Sequence, residues 1–343
     1  MQHLTSILGH PDYSFNHCSS IVISSKSDPI IVGYCGQECT DEQRVFIYFN
    51  EKYITFAPKT GNPIIWKYRT KIHILYSRYE DVDGNGLRPL NPVERWKFCS
   101  NHHIELEEKE LLNRLKHFPD TIEKESTEIS DMFGLLARCQ PVEFKGECLI
   151  PMYREKDPIC QLWSLSSDDH LMFKSSFGEI PADVAGNMSV NSSLGYGAAI
   201  QPTLETSNDK LTAYMRNVSR SQKYAWTCKS SDGVIWSDIT DKPFIPNENN
   251  SLIFINSEDP RHRYIVFNPD RTRSDIRLIN ILNKKAISLA ITVYGRHNSY
   301  SYPNYAWNKN DELNVELHIV HSNCGMIAHH ILSKKYLEKV FNL

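Results

Sequence analysis

The stretch that most constrains this chain is Gln201 to Trp236, QPTLETSNDKLTAYMRNVSRSQKYAWTCKSSDGVIW, because it reads as one complete unit of a repeating β architecture. Its first apolar run ends in a polar turn at Ser207-Asn208-Asp209-Lys210, the second run is LTAYMRN, and the third is KYAWTCKS. A turn, SSDG, then returns the chain into Val234-Ile235-Trp236. Apolar runs with turn chemistry at every reversal predict a four-stranded antiparallel meander whose last strand is Val234 to Trp236. A sheet of that size cannot bury both faces alone, so it requires sister copies.

Decayed copies are present. Gly146 to Phe173 repeats the plan with GECLIPMYRE, a gap at Lys156-Asp157-Pro158, ICQLWSLSS, and then SSDDHLMF at Ser166 to Phe173. That octet shares with Ser230 to Trp236 a Ser, an Asp two residues on, and a closing aromatic. An Asp at this place accepts hydrogen bonds from the amides of its own turn, and the aromatic covers the outer strands. Both features are structural, and neither carries chemistry.

The rest of the chain divides on the same plan. A first blade runs from Ser19 to Phe56 (SSIVIS, PIIVGYCG, RVFIYF, NEKYITF), and a second takes in NPIIWKY, KIHILYSRY and VERWKFCS with a polar turn at Asp81 to Gly86. Glu105 to Phe118, ELEEKELLNRLKHF, places Leu at 106, 111, 112 and 115 among charges, which is helical spacing and predicts an insertion helix within about residues 105–125. The third blade begins at GLLARCQPVEF, the fifth holds SLIFIN, RYIVFN, SDIRLINIL and AISLAITVY, and the sixth runs from Tyr302 to Leu332. Ser333 to Phe341 reads as a terminal helix with Tyr336, Leu337, Val340 and Phe341 inward, and the N-terminal residues are expected beside the last blade. The fold class is therefore all-β. It is a six-bladed β-propeller with four-stranded antiparallel blades, a short helical insertion and a C-terminal helix, and all 343 residues form one domain.

Several stretches resemble the sialidase superfamily, whose turns carry this Asp-box frame. NHCSSIVI (Asn16 to Ile23) is similar to that family's opening strand, followed by GYCGQECTDEQRVFIYF where it places a Gly-rich loop with an acidic residue. AAIQPTL and AYMRN resemble its Ile-Gln-Pro strand and the strand ending in Arg-Asn. NENNS (Asn247 to Ser251) stands at an Asn-Pro-Asn-Ser loop, and YSYPNYAW with VELHIVHS and MIAHHIL resembles the closing strands. Order and spacing together cover nearly the whole chain.

In a propeller the leading strands of the blades bring polar side chains to one pocket, so candidates are sought at the ends of those strands. They are His17, Asp41, Glu42, Arg44, Gln140, Glu155, Gln201, Arg216, Asn250, Tyr302 and His321. The resemblance implies that three arginines clamp a sugar carboxylate, that a Tyr beside a carboxylate is the nucleophile, and that an Asp is acid and base. It assigns the clamp to Arg216, the nucleophile to Tyr302, its carboxylate to Glu155 and the acid to Asp41 or Glu42. His17, Arg44, Gln140, Gln201, Asn250 and His321 would bind substrate. The chain departs from the pattern in two places: no Arg stands near the opening strand, and His321-Ser322-Asn323-Cys324-Gly325 stands where members commonly have arginines.

The resemblance implies an exo-glycoside hydrolase acting on a terminal acidic or modified sugar. The alternative is a propeller that keeps the pocket but only binds a glycan or small anionic ligand. A net charge of −3 without a basic stripe argues against nucleic acid. Cys35 with Cys39, and Cys99 with His102 and His103, have no second pair at zinc spacing, so no metal or cofactor is expected. MQHLTSILGHPDYS has neither the charge nor the apolar run of a signal peptide, and no span is long enough to cross a bilayer. A cytoplasmic protein with reduced cysteines and no membrane partner is the expectation.

Overall fold

The computed structural model describes residues 3–38, 40–80, 95–129, 132–154, 159–165, 173–181, 199–217, 223–247, 250–270, 272–291 and 300–343. The chain forms six antiparallel sheets and divides by its contacts into two compact units. One comprises residues 2–137 and 304–333, the other residues 138–303 and 334–343. They are called the first and second unit below.

In the first unit, β1 (His3–Leu8) precedes a meander of β2 (Asn16–Ile23), β3 (Pro29–Cys35), β4 (Arg44–Phe49) and β5 (Lys52–Thr55). A second meander contains β6 (Thr60–Tyr68), β7 (Lys71–Tyr79), β8 (Cys99–Glu107) and β9 (Thr127–Ile129). Strand β10 (Leu135–Ala137) ends this part of the chain. The N-terminal strand pairs as expected with the end of the chain: β1 runs antiparallel to a strand at Met326–Ser333, from His3 opposite Leu332 to Leu8 opposite Ile327. Apolar runs such as PIIVGYC are buried almost throughout because both faces of the sheet are covered. The insertion helix α1 (Glu108–His117) adds Leu111, Leu112 and Leu115 to the core around Ile65, Ile72 and Ile74. Each of these leucines contributes roughly 1.5–3 kcal/mol by leaving water.

The second unit contains β11 (Val142–Phe144), β12 (Glu147–Arg154), β13 (Ile159–Leu165) and β14 (Phe173–Ile180). These are followed by β15 (Ala199–Ser207), β16 (Lys210–Asn217), β17 (Tyr224–Ser230) and β18 (Thr240–Pro246), and then by β19 (Leu252–Ile255), β20 (Tyr264–Phe267), β21 (Asp275–Asn280) and β22 (Ala286–Ile291). Strand β23 (Tyr300–Asn308) leaves this unit at Pro303, and β24 (Glu316–Asn323) and β25 (Met326–Ser333) complete the first unit. Helix α2 (Lys334–Phe341) returns to the second unit, with Leu337 and Phe341 fully buried and the Phe341 ring 5.2 Å from that of Tyr264. Tyr336 and Val340 are half-buried.

Three expectations need correction. The fourth strand of the Gln201 meander is Thr240–Pro246 rather than Val234 to Trp236, which makes only a single bridge from Trp236 to Ser230. Asp232 Oδ1 accepts the amides of Val234 at 2.9 Å and Ile235 at 2.8 Å, so those amides cannot enter a ladder. Glu105 to Glu107 belong to β8, in register with Lys71 to His73, and the helix begins only at Glu108. Within VERWKFCS, Arg95–Phe98 is a 3-10 turn rather than strand, and β8 starts at Cys99. The octet's Ser166 to Met172 and the turn Asp81 to Gly86 lie outside the described residues.

Candidate functional site

One local device recurs in the strands that lead their meanders. The third residue of β2, β6, β15 and β23 adopts left-handed backbone: Cys18 at φ 55°, Asn62 at 47°, Gln201 at 54° and Tyr302 at 53°. In β2, β6 and β15 the strand register shifts at the same place, which marks a bulge. A bulge turns its side chain away from the sheet face, at a cost of order 1–3 kcal/mol for a non-glycine residue, and such strain gathers where a side chain is put to use.

In the second unit the side chains aimed this way meet cations. The Arg138 guanidinium, only 3% exposed, lies 4.5 Å from the centre of the Tyr302 ring, and that of Arg273 lies 5.9 Å from it. Tyr302 is fixed through its backbone amide, which donates to Ser251 Oγ at 2.8 Å. Arg273 is held at both ends: its Nε donates to Asn250 Oδ1 at 2.7 Å, and its carbonyl accepts the Tyr300 amide at 3.0 Å. Asn250 is fully buried, and its Nδ2 donates to the Asp270 carbonyl. A further bond joins Asn247 Nδ2 to the Asn250 carbonyl at 2.7 Å, while Asn247 Oδ1 accepts the amide of Asn217 at 3.0 Å, beside Arg216. Arg216 in turn donates to Gln201 Oε1 at 3.3 Å, and Gln201 Nε2 donates to the Tyr153 hydroxyl at 3.1 Å. The Asn250 side chain thus braces the loop that carries Arg273, and its bond to that charged group is worth about 1.5–3 kcal/mol.

Of the residues singled out from sequence, the second unit therefore joins Arg216 to Gln201, and Asn250 through Arg273 to Tyr302. Gln140 is half-buried two residues after Arg138. Glu155 lies outside the described residues. The others belong to the first unit. Asp41 is exposed and pairs with Arg95 at 2.6 Å and Lys59 at 4.0 Å, and Glu42 is exposed beside it. Arg44 donates to the Phe56 carbonyl at 3.3 Å, and His17 lies against Phe15 at 5.2 Å and Tyr34 at 5.6 Å. His321 is fully buried, with Nδ1 against the Ser322 carbonyl and Nε2 against His330, each at 2.9 Å. Burial pushes its pKa down to about 4.

Sequence reasoning passed over Arg138 and Arg273. Arg138 directly follows the three-residue strand β10, so its place at a strand end was visible in GLLARCQP. Arg273 sits in the loop between β20 and β21, where no periodicity singles it out.

No protein-family model matches the sequence, and no curated protein matches it. Solved structures do. A protein of unknown function from Dyadobacter fermentans superposes with a TM-score of 0.63 at 11% identity, over 95% of this chain and 97% of that one. Trypanosoma rangeli sialidase in complex with the inhibitor DANA gives a TM-score of 0.60 at 10% identity over 96% of this chain. The fold is the six-bladed β-propeller of the sialidases. The chain spans only 57% of the length of that sialidase. It covers 98% of a subtype N10 neuraminidase-like protein of A/little yellow-shouldered bat/Guatemala, with a TM-score of 0.54, 8% identity and 95% of this chain matched. Among the described residues, no helix of this propeller is long and apolar enough to cross a membrane.

Proposed function

We propose that this sialidase-like propeller is an exo-acting glycoside hydrolase for a terminal acidic sugar, with its binding centre in the second unit around Tyr302. The observation that carries the reading is the placement of the Arg138 and Arg273 guanidinium groups over the Tyr302 ring. Guanidinium forks suit a planar carboxylate, and Arg216, turned toward Gln201, supplies a third. Two cations beside the phenol favour the negative charge its oxygen takes on as a neighbouring carboxylate removes the phenolic proton, before that oxygen attacks the anomeric carbon. The phenol oxygen then bonds to that carbon, the glycosidic bond breaks, and a carboxylic acid protonates the leaving oxygen. Water hydrolyses the glycosyl–tyrosine in the second step. The inhibitor complex of the trypanosomal sialidase supports the choice of an acidic sugar by likeness of fold.

The test is hydrolysis of a panel of chromogenic α- and β-glycosides, including sialosides and uronides, by the wild type and by Tyr302→Phe. Turnover of an acidic glycoside is expected, with kcat reduced ~10³-fold or more in the variant while its affinity for the sugar is kept. Wild-type rates in Tyr302→Phe, or turnover of neutral glycosides alone, would contradict the assignment. Affinity without turnover would reduce the protein to a binder of acidic glycans.

A further inference from the structure

In the first unit, the turn after β2, the β6–β7 turn and the outer face of α1 surround an open groove of about 720 Å³. Lys26 lines it from the first turn, Lys67 from the end of β6, Arg69 from the β6–β7 turn, and Lys109 and Lys116 from the helix. Against these five bases stand only Glu107 and Glu108. Glu108 is already engaged, taking Lys67 Nζ at 2.7 Å and the Ser25 amide, and these bonds hold its carboxyl below the usual range despite burial. Lys109, Asn113 and Lys116 follow one another at helical i, i+4, i+7 spacing and so share a face. The side chains of Lys26, Lys109 and Lys116 are exposed and make no ion pair among the described residues. In a chain of net charge −3, so local an excess of positive charge is a feature of this groove and not of the composition.

We infer that this groove binds an acidic oligosaccharide bearing tetrahedral oxyanion esters, sulfate or phosphate, as an anchoring site separate from the arginine cluster at Tyr302. Lysine ammonium groups are point charges that suit tetrahedral oxyanions, whereas the arginine forks at Tyr302 suit planar carboxylates. Between the lysines, the Asn113 amide and the Thr70 hydroxyl offer neutral hydrogen bonds. The exposed Glu107 carboxylate accepts hydrogen bonds from sugar hydroxyls. A nucleic acid strand fits less well, because single strands stack their bases on aromatic rings and the lining offers only the imidazole of His117. The volume matches a short oligosaccharide rather than a duplex.

The experiment is calorimetric titration of the intact protein at two salt concentrations. The probes are a sulfated heparin tetrasaccharide, its desulfated form, a phosphorylated oligosaccharide of equal charge, and a ten-residue thymidine strand. The variant is Lys109→Ala/Lys116→Ala, at exposed helix positions where alanine preserves the helix. Binding of a charged oligosaccharide is expected, about tenfold weaker in the variant and in the desulfated form, weakening with salt, with Tm unchanged. The tighter of the sulfated and phosphorylated probes names the ester. The inference is overturned if neither probe binds, if the variant binds as the wild type does, or if the thymidine strand binds as tightly as the sugar. Turnover at Tyr302 is not read out, so failure here leaves the proposed hydrolysis untouched.

Discussion

Tyr302 and Gln201 show what one backbone torsion does for this protein. At φ 53° and 54°, both occupy a region that most side chains avoid, and each precedes a proline. The strain is held by bonds around them, Ser251 to the Tyr302 amide and Tyr153 to the Gln201 amide group. The buried asparagines are the other half of the device. Asn250→Ala removes the acceptor of Arg273 Nε and one of the two donors to the part-buried Asp270 carbonyl, so a loss of about 1.5–3 kcal/mol is expected in urea denaturation. Affinity for an acidic sugar should fall with it. A variant as stable as the wild type would show that Asn250 does not brace the loop.

The meanders were legible because each apolar run is bounded by turn residues, and β19 to β22 fall where SLIFIN, RYIVFN, SDIRLINIL and AISLAITVY lie. Val234 and Ile235 show the limit: they look like a strand yet are 55% and 75% exposed, because side-chain bonds within the turn capture their amides. There Ser230 Oγ accepts the amide of Gly233 at 2.8 Å, and Gly233 supplies the φ of 82° that closes the loop. Ser230→Ala should cost about 1 kcal/mol in thermal unfolding and leave sugar binding unchanged. A change in affinity would give this turn a role beyond structure. The arginine cluster was half legible. Arg216 and Tyr302 lie on strands with recognisable ends, whereas Arg273 comes from a loop whose position is set by Asn250 and by the Tyr300 amide, contacts that no spacing encodes.

Three buried imidazole pairs in the first unit tie the stability of the molecule to pH. His73 Nδ1 meets His103 Nε2 at 3.1 Å, His318 Nδ1 meets His329 Nε2 at 2.9 Å, and His321 Nε2 meets His330 Nε2 at 2.9 Å. Each bond needs one ring to donate and the other to accept, so the two rings of a pair cannot both be protonated, and burial keeps both neutral. Burial pushes the pKa values down, to about 2 for His73 and His330, about 3 for His318, and about 4 for His103, His321 and His329. The unfolded chain keeps ordinary histidines and takes up protons first as pH falls through ~6.5, so this contribution is complete above that pH and declines below it. Each ring costs roughly 1 kcal/mol per pH unit in that window. Denaturation midpoints should drop steeply from pH 7 to 5, and replacing His318 and His329 by glutamine should flatten the slope. A wild-type midpoint that is flat over this range would contradict the pairing.

The central claim is that the second unit gathers its arginines to hold a sugar carboxylate, and the most direct measurement compares one sugar in two forms. DANA and its methyl ester differ in that charge and in one added methyl group, and calorimetry on the wild type and Arg138→Met reads the difference. The free acid should bind the wild type ~100-fold or more tightly than the ester, and the preference should collapse in the variant. Equal affinity for acid and ester in the wild type, or a preference that Arg138→Met leaves intact, would contradict the account.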